Sequence, residues 1–202
     1  MRRALALLAN SLATGGGLIV LILSFGPISG AHFNPVVTLA DAAHGGLAWC
    51  EAPLYIGAQI FGAFAGVAAA HLMFGESLFS VSQHARGGLA QAGSEFIATF
   101  GLLAVIASGA RQRAAALPFA VGAYITAAYW FTASTSFANP AVTLARAASD
   151  TFAGIRPQDA PGFIVAQLLG AAAATAVMRW LVPTLPRRAQ DMALARTGSK
   201  NS

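Results

Sequence analysis

Two Asn-Pro pairs, Asn34-Pro35 and Asn139-Pro140, are the residues whose type and setting could do chemistry. Asn caps a helix N-terminus well, and Pro fits the first helical position, where no N–H is needed. Each pair therefore opens a short helix, over 33–43 and 137–148. The side-chain amide of each Asn can donate a hydrogen bond, and the helix N-terminus behind it carries roughly half a positive charge. Such a site accepts the oxygen of a neutral polar molecule and repels a cation. Two ionisable groups are candidates to support it. Glu95 lies in an apolar run, where a carboxylate faces the bundle interior and has partners. His32, two residues before Asn34, is placed in a vestibule, where its protonation would offer a gate.

Other chemistries find little support. The single cysteine, Cys50, excludes a disulfide framework and a Cys-based zinc site. His44, His71 and His84 lack metal-ligand spacing and read as packing or loop residues. No cofactor and no metal are expected. Charged residues are 9% of the 202 and apolar ones 56%. A soluble domain carries roughly 25% charge, so a soluble enzyme is excluded. The net charge of +5 reflects scarce acids rather than a basic face, so nucleic acid is not an expected partner.

The elements that position the Asn-Pro pairs are membrane helices. A span needs roughly 20 mostly apolar residues. Five runs fit or nearly fit: 5–25, 53–74, 93–110, 114–134 and 161–182. A cleaved leader is considered for the first, after Arg2 and Arg3, but its apolar stretch is too long for most signals. Small-residue pairs, Gly62 with Gly66 and Gly170 with Ala174, are expected to pack helices closely. Gln59 and Gln167 are expected to hydrogen-bond between helices. The two half-length helices cannot span and must be buried in protein or line a cavity.

The chain also repeats itself. Asn34-Pro35-Val36-Val37-Thr38-Leu39-Ala40 matches Asn139-Pro140-Ala141-Val142-Thr143-Leu144-Ala145. Ala58-Gln59-Ile60-Phe61-Gly62-Ala63 then matches Ala166-Gln167-Leu168-Leu169-Gly170-Ala171. Three crossings separate the two half-helices, so the repeats are inverted and their N-termini meet near the midplane. The chain reads as an all-α membrane protein: a channel domain over 1–183, with repeats over 1–75 and 93–183, and a disordered basic tail over 184–202.

These residues resemble the aquaporin and aquaglyceroporin family. Its twin Asn-Pro-Ala motifs match Asn34-Pro35-Val36 and Asn139-Pro140-Ala141, and Ser29-Gly30-Ala31-His32-Phe33 resembles the lead-in to the first. Glu95-Phe96-Ile97-Ala98-Thr99-Phe100 is similar to the Glu-x-x-x-Thr-Phe pattern that opens each family repeat. The segment from Tyr129 to Thr143 looks closest to a bacterial branch associated with arsenic resistance. The resemblance implies an inverted-repeat bundle with two re-entrant half-helices, a homotetramer in the lipid bilayer, and a passive channel for small neutral solutes. Water, glycerol-like polyols and undissociated arsenic acids are the solute classes. It gives Glu95 the role of accepting hydrogen bonds from the re-entrant loops.

Three departures stand out. Val36 replaces the usual Ala and adds bulk near the midplane. Val142 stands where most of the family has an Arg that narrows the pore and repels cations. The outer filter falls on Thr14, Ala127, Ser136 and Val142, none aromatic or charged, which implies a wide, weakly polar mouth. The third departure is a count: the family has six spans, and five are present here. The family's first helix is missing, so upstream sequence is expected to supply about 20 further apolar residues with a Glu-x-x-x-Thr-like pattern.

The positive-inside tendency sets orientation. Arg111, Arg113, Arg187, Arg188, Arg196 and Lys200 share one face, against Arg86, Arg156 and the N-terminal pair on the other. The C-terminus is expected to be cytoplasmic, in a plasma membrane. Two other functions compete with the channel. A secondary transporter needs ionisable coupling groups near the midplane, and the spans offer only Glu95 and His71, with Arg179 near an end. A truncated, non-conducting product is the other.

Overall fold

A computed structural model describes residues 1–181, apart from the side chains of Arg2, Arg111 and Gln112. Helices are the only regular secondary structure among the described residues. α1 (Arg2–Ser29), α3 (Ala52–Phe74), α4 (Leu89–Gln112), α5 (Leu117–Phe131) and α7 (Ala160–Leu181) are the long elements. Among the described residues, five helices are long and apolar enough to cross a membrane, α5 counted with the 3-10 turn at Ala114–Ala116 that leads into it. α2 (Pro35–Ala43) and α6 (Pro140–Arg146) are the half-helices. The expected tail lies outside the described residues.

Local signals explain the ends. Gly30 closes α1 with φ 75°, and Gly75 closes α3 with φ 72°, left-handed angles that glycine adopts without a Cβ penalty. α5 stops at Phe131, three residues before the apolar run ends. Thr132 is extended, and Ser134 is drawn into the loop, where its hydroxyl donates to Glu95 at 2.6 Å. α6 likewise ends earlier than 148, with Ala147 and Ala148 in a turn.

The helices pair as two crossed couples. α1 meets α5 where Gly15 faces Gly122: a Cβ on Gly122 would lie 2.6 Å from the Gly15 carbonyl oxygen. α4 meets α7 where a Cβ on Gly170 would lie 2.5 Å from the Phe96 carbonyl oxygen. Both approaches put backbone against backbone, as small residues allow. The expectation for Gly62 and Gly66 is corrected. Neither has a neighbour from another element within 4 Å of its missing Cβ: Gly62 lines the cavity, and most of α3 is exposed.

α5 shows how a helix divides its faces. Gly122, Thr126 and Trp130 meet α1, with Trp130 Nε1 donating to Ser11 Oγ at 3.2 Å. Tyr124 turns to α4, its hydroxyl donating to the Ala98 carbonyl at 3.0 Å. Val121, Ile125 and Tyr129 face the interior cavity. Phe119, Ala123 and Ala127 are left on the outside.

The half-helices fill the space between the couples. Val36 and Val37 of α2 pack with Leu103 of α4 and Ala171 and Ala174 of α7. Val36 is fully buried there and does not line the cavity. Its extra bulk therefore sits in the protein core. The added bulk does not reach the cavity, because residue 36 is the second of α2 and that face turns toward α4 and α7.

Candidate functional site

The two Asn residues meet through each other's backbone. Asn34 Nδ2 donates to the Ala138 carbonyl at 2.7 Å, and Asn139 Nδ2 donates to the Phe33 carbonyl at 2.8 Å. Each amide carries two N–H donors, so one remains on each. The side-chain oxygens cap their own helices. Asn34 Oδ1 accepts from Val36 N at 3.1 Å, and Asn139 Oδ1 accepts from Ala141 N at 3.0 Å and Val142 N at 3.2 Å. Pro35 and Pro140 are buried behind them.

Strained backbone makes this exchange possible. Ala31 and Phe33 have φ 48° and 50°, and Ser136 and Ala138 have φ 50° and 47°. These are the residues three and one before each Asn. Left-handed angles cost non-glycine residues about 1–2 kcal/mol each, so surrounding contacts must hold them. The benefit is geometric: the reversed peptides turn the Phe33 and Ala138 carbonyls toward the opposite Asn.

Glu95 is what holds the second loop. It is fully buried, and its carboxylate accepts from Ser134 Oγ (2.6 Å), Phe137 N (2.8 Å), Ala138 N (2.8 Å) and Gln167 Nε2 (2.6 Å). All four donors belong to the second loop or α7. The expectation that Glu95 accepts from both re-entrant loops is corrected: none of its donors comes from the first loop, which it reaches only through Ala138, whose carbonyl accepts from Asn34. Gln167 also donates to Thr143 Oγ1 at 2.9 Å, and Gln59 donates to Thr38 Oγ1 at 2.8 Å, each joining a long helix to a half-helix.

A second strut had no sequence signal beyond an arginine in a glycine-rich connection. Arg86, in the α3–α4 link, is 6% exposed. It donates to the carbonyls of Gly154 (2.7 Å), Ser134 (2.9 Å) and Phe152 (3.2 Å), and to Thr135 Oγ1 (3.2 Å). Burial brings its guanidinium down to about 10; Arg146 nearby adds to that shift and Glu95 opposes it. Arg86 stays charged at neutral pH and ties the second loop to the α3–α4 link.

A cavity of about 1070 Å³ runs past both Asn residues. Thr14, His32, Asn34, Ser136, Asn139, Ala141 and Val142 line it. Ser136 is 2% exposed, and its hydroxyl has no hydrogen-bond partner among the described residues. Ala127 is not part of the lining. It is exposed on the outer face of α5, and Tyr129, two residues on, takes the inward place. The expected mouth without aromatic or charged groups is also corrected, since Tyr129, Phe137 and Arg146 all line the cavity. Arg146 was legible as the residue four after Val142, on the same helix face.

At the other end, His32 Nδ1 lies 3.2 Å from Thr38 Oγ1, and its Nε2 lies 3.6 Å from Asp41 Oδ2. The Tyr55 ring is 5.1 Å away. Burial lowers the imidazole below its ordinary value, with Asp41 pulling the other way.

Five spans, two half-helices capped head to head, and a cavity crossing their meeting point define a multi-pass helical membrane channel. A family model for the major intrinsic proteins matches residues 2–128 and again 109–201, and the chain belongs to that family. It is 56% identical to aquaglyceroporin AqpS of Rhizobium meliloti (strain 1021) over 179 residues, 89% of this chain and 77% of that protein. It is 37% identical to aquaporin NIP1-3 of Oryza sativa subsp. japonica over 138 residues, 64% of this chain and 48% of the relative. It is 41% identical to probable aquaporin NIP7-1 of Arabidopsis thaliana over 76 residues, 38% of this chain and 26% of the relative. The chain spans about half, or less, of the length of those two plant relatives. Members of the family are passive small-solute channels rather than enzymes.

Proposed function

We propose that this chain conducts small neutral solutes through the cavity past Asn34 and Asn139: water, glycerol-like polyols and undissociated arsenic acids. The observation that carries this reading is the reciprocal Asn pair, with one spare amide donor on each side of a continuous cavity. Polyols and arsenous acid are uncharged, compact and rich in hydroxyls, so their oxygens can accept from these donors in turn. Thr14, Ser136 and Val142 form the outer filter, and His32 borders the inner vestibule. The channel unit takes 1–183, with repeats over 1–75 and 93–183. It sits in a plasma membrane with the C-terminus cytoplasmic and works as a homotetramer.

Two observations weigh against ion-coupled transport. Glu95 is locked by four donors and does not line the cavity. His71 is held by the Ser77 carbonyl at 2.7 Å and Ser149 Oγ at 2.9 Å, at the end of α3. Neither is free to load and release an ion at the midplane. Glycerol uptake by proteoliposomes, with and without imposed sodium and proton gradients, tests the reading. Uptake is expected to exceed that of empty vesicles and to be unaffected by either gradient. Accumulation above the external concentration would indicate coupling.

A further inference from the structure

A cationic side chain lies one turn further along the half-helix that carries Val142. Arg146 follows Val142 by four residues in α6, and both line the cavity. Helical side chains lean toward the helix N-terminus, so the long Arg146 side chain is carried back over the turn that holds Val142. Its head is fixed by aromatic neighbours. Nη2 donates to the Tyr129 hydroxyl at 3.0 Å, and the guanidinium carbon lies 4.4 Å from the centroid of the Phe137 ring. The Tyr129 hydroxyl in turn shares a 3.1 Å hydrogen bond with Thr14 Oγ1 of α1, the helix paired with α5.

Comparison with Arg86 separates a strut from a filter group. Arg86 gives its guanidinium donors to three carbonyls and a hydroxyl and does not line the cavity. Arg146 has five donors and spends one. Among the described residues the arginine that pairs with a carboxylate is Arg156, with Asp159, so no carboxylate neutralises Arg146. Glu95, the buried acid of the second loop, accepts from Ser134, Phe137, Ala138 and Gln167 and makes no ion pair with Arg146. An uncompensated guanidinium with spare N–H groups therefore borders an otherwise uncharged stretch of the cavity.

We propose that Arg146 is a specificity-determining residue of the pore mouth. Its guanidinium repels cations and offers donors to the oxygens of neutral solutes, while Tyr129 and Phe137 hold it to one side of the opening. This rests on the cavity being the permeation path. The arrangement differs from a cation at position 142, which would sit in the first turn of α6. Anchored one turn further along α6 and stacked on the Phe137 ring, the guanidinium is held against the wall rather than in the lumen beside Val142.

The field can be measured without flux. In the full chain carrying Cys50→Ser and Val142→Cys, the rates of modification by an anionic and a cationic methanethiosulfonate are compared. The anionic-to-cationic ratio is expected to exceed that of free cysteine. It should fall toward the free value in 1 M salt, where charges are screened beyond about 3 Å. Adding Arg146→Gln is expected to lower the ratio by about tenfold or more at low salt. A ratio at or below the free-thiol value, or one unmoved by Arg146→Gln, overturns the proposal. If the Gln variant does not fold, Arg146→Met, which keeps the length of the side chain without its charge, gives the same comparison. In proteoliposomes, Arg146→Leu should raise methylammonium permeability relative to glycerol, and an unchanged ratio again overturns it. A parent chain that passes no glycerol would defeat the proposed function, and the thiol rates would then decide the placement of the charge alone.

Discussion

Glu95→Ala is expected to lower the thermal midpoint of the detergent-solubilised protein by about 10 °C or more and to abolish glycerol flux. The carboxylate accepts from two backbone N–H groups, a serine hydroxyl and a glutamine amide, all at 2.6–2.8 Å and fully buried. Each donor stripped of its acceptor costs about 1–3 kcal/mol, with no water at that depth to replace it. The loss falls on Phe137 and Ala138, in the loop that already bears the left-handed residues Thr135, Ser136 and Ala138. That loop places the carbonyl which accepts from Asn34. Stability and conduction should therefore fail together. A midpoint shifted by less than about 2 °C would show that the strain is held elsewhere, with Arg86 the first alternative.

Val142→Arg is expected to cut glycerol flux by about tenfold while lowering water flux by no more than about threefold. Position 142 is in the first turn of α6, half-buried against the cavity. A guanidinium there would fill lumen that Val leaves open. It would also face Arg146 four residues on, and like charges at that spacing repel. The new side chain is thereby pushed across the opening rather than along the wall. Stopped-flow swelling with water and glycerol reads both arms. Equal losses for the two solutes, or none, would show that this level does not set the size limit.

The spans and half-helices were legible because their causes are local. Apolar length marks a span, and an Asn followed by a Pro marks a capped helix start whatever surrounds it. The internal repeat made the pairing of the half-helices readable as well. What stayed hidden depends on register and on partners far along the chain. Ala127 and Tyr129 differ by two residues in an apolar helix, and only the Gly15–Gly122 crossing decides which one turns inward. Val36 could be placed near the midplane, but its contacts with Leu103 and Ala174 come from α4 and α7.

The left-handed residues are illegible for another reason. Ala, Phe and Ser have no preference for positive φ, and the Asn–carbonyl exchange imposes it on them. Arg86 gives no periodic signal, since a single residue in a link reveals neither its burial nor its acceptors. Arg146 was within reach of helical spacing, because a long polar side chain four residues after a pore position shares its face. The glycine pairs show the opposite error. Gly62 and Gly66 have the spacing of a packing motif, yet α3 leaves them open. Spacing alone does not say whether a neighbour is there.

The most direct measurement is glycerol swelling of proteoliposomes holding the parent chain, Asn34→Leu or Asn139→Leu, each at matched protein content. Each substitution removes a cap, a bond to the opposite loop and the spare donor at the centre of the cavity. The expected result is swelling well above empty vesicles for the parent and a fall of about tenfold or more for each variant. Parent-level swelling in either Leu variant that still folds would contradict the passage of solute between the two Asn residues.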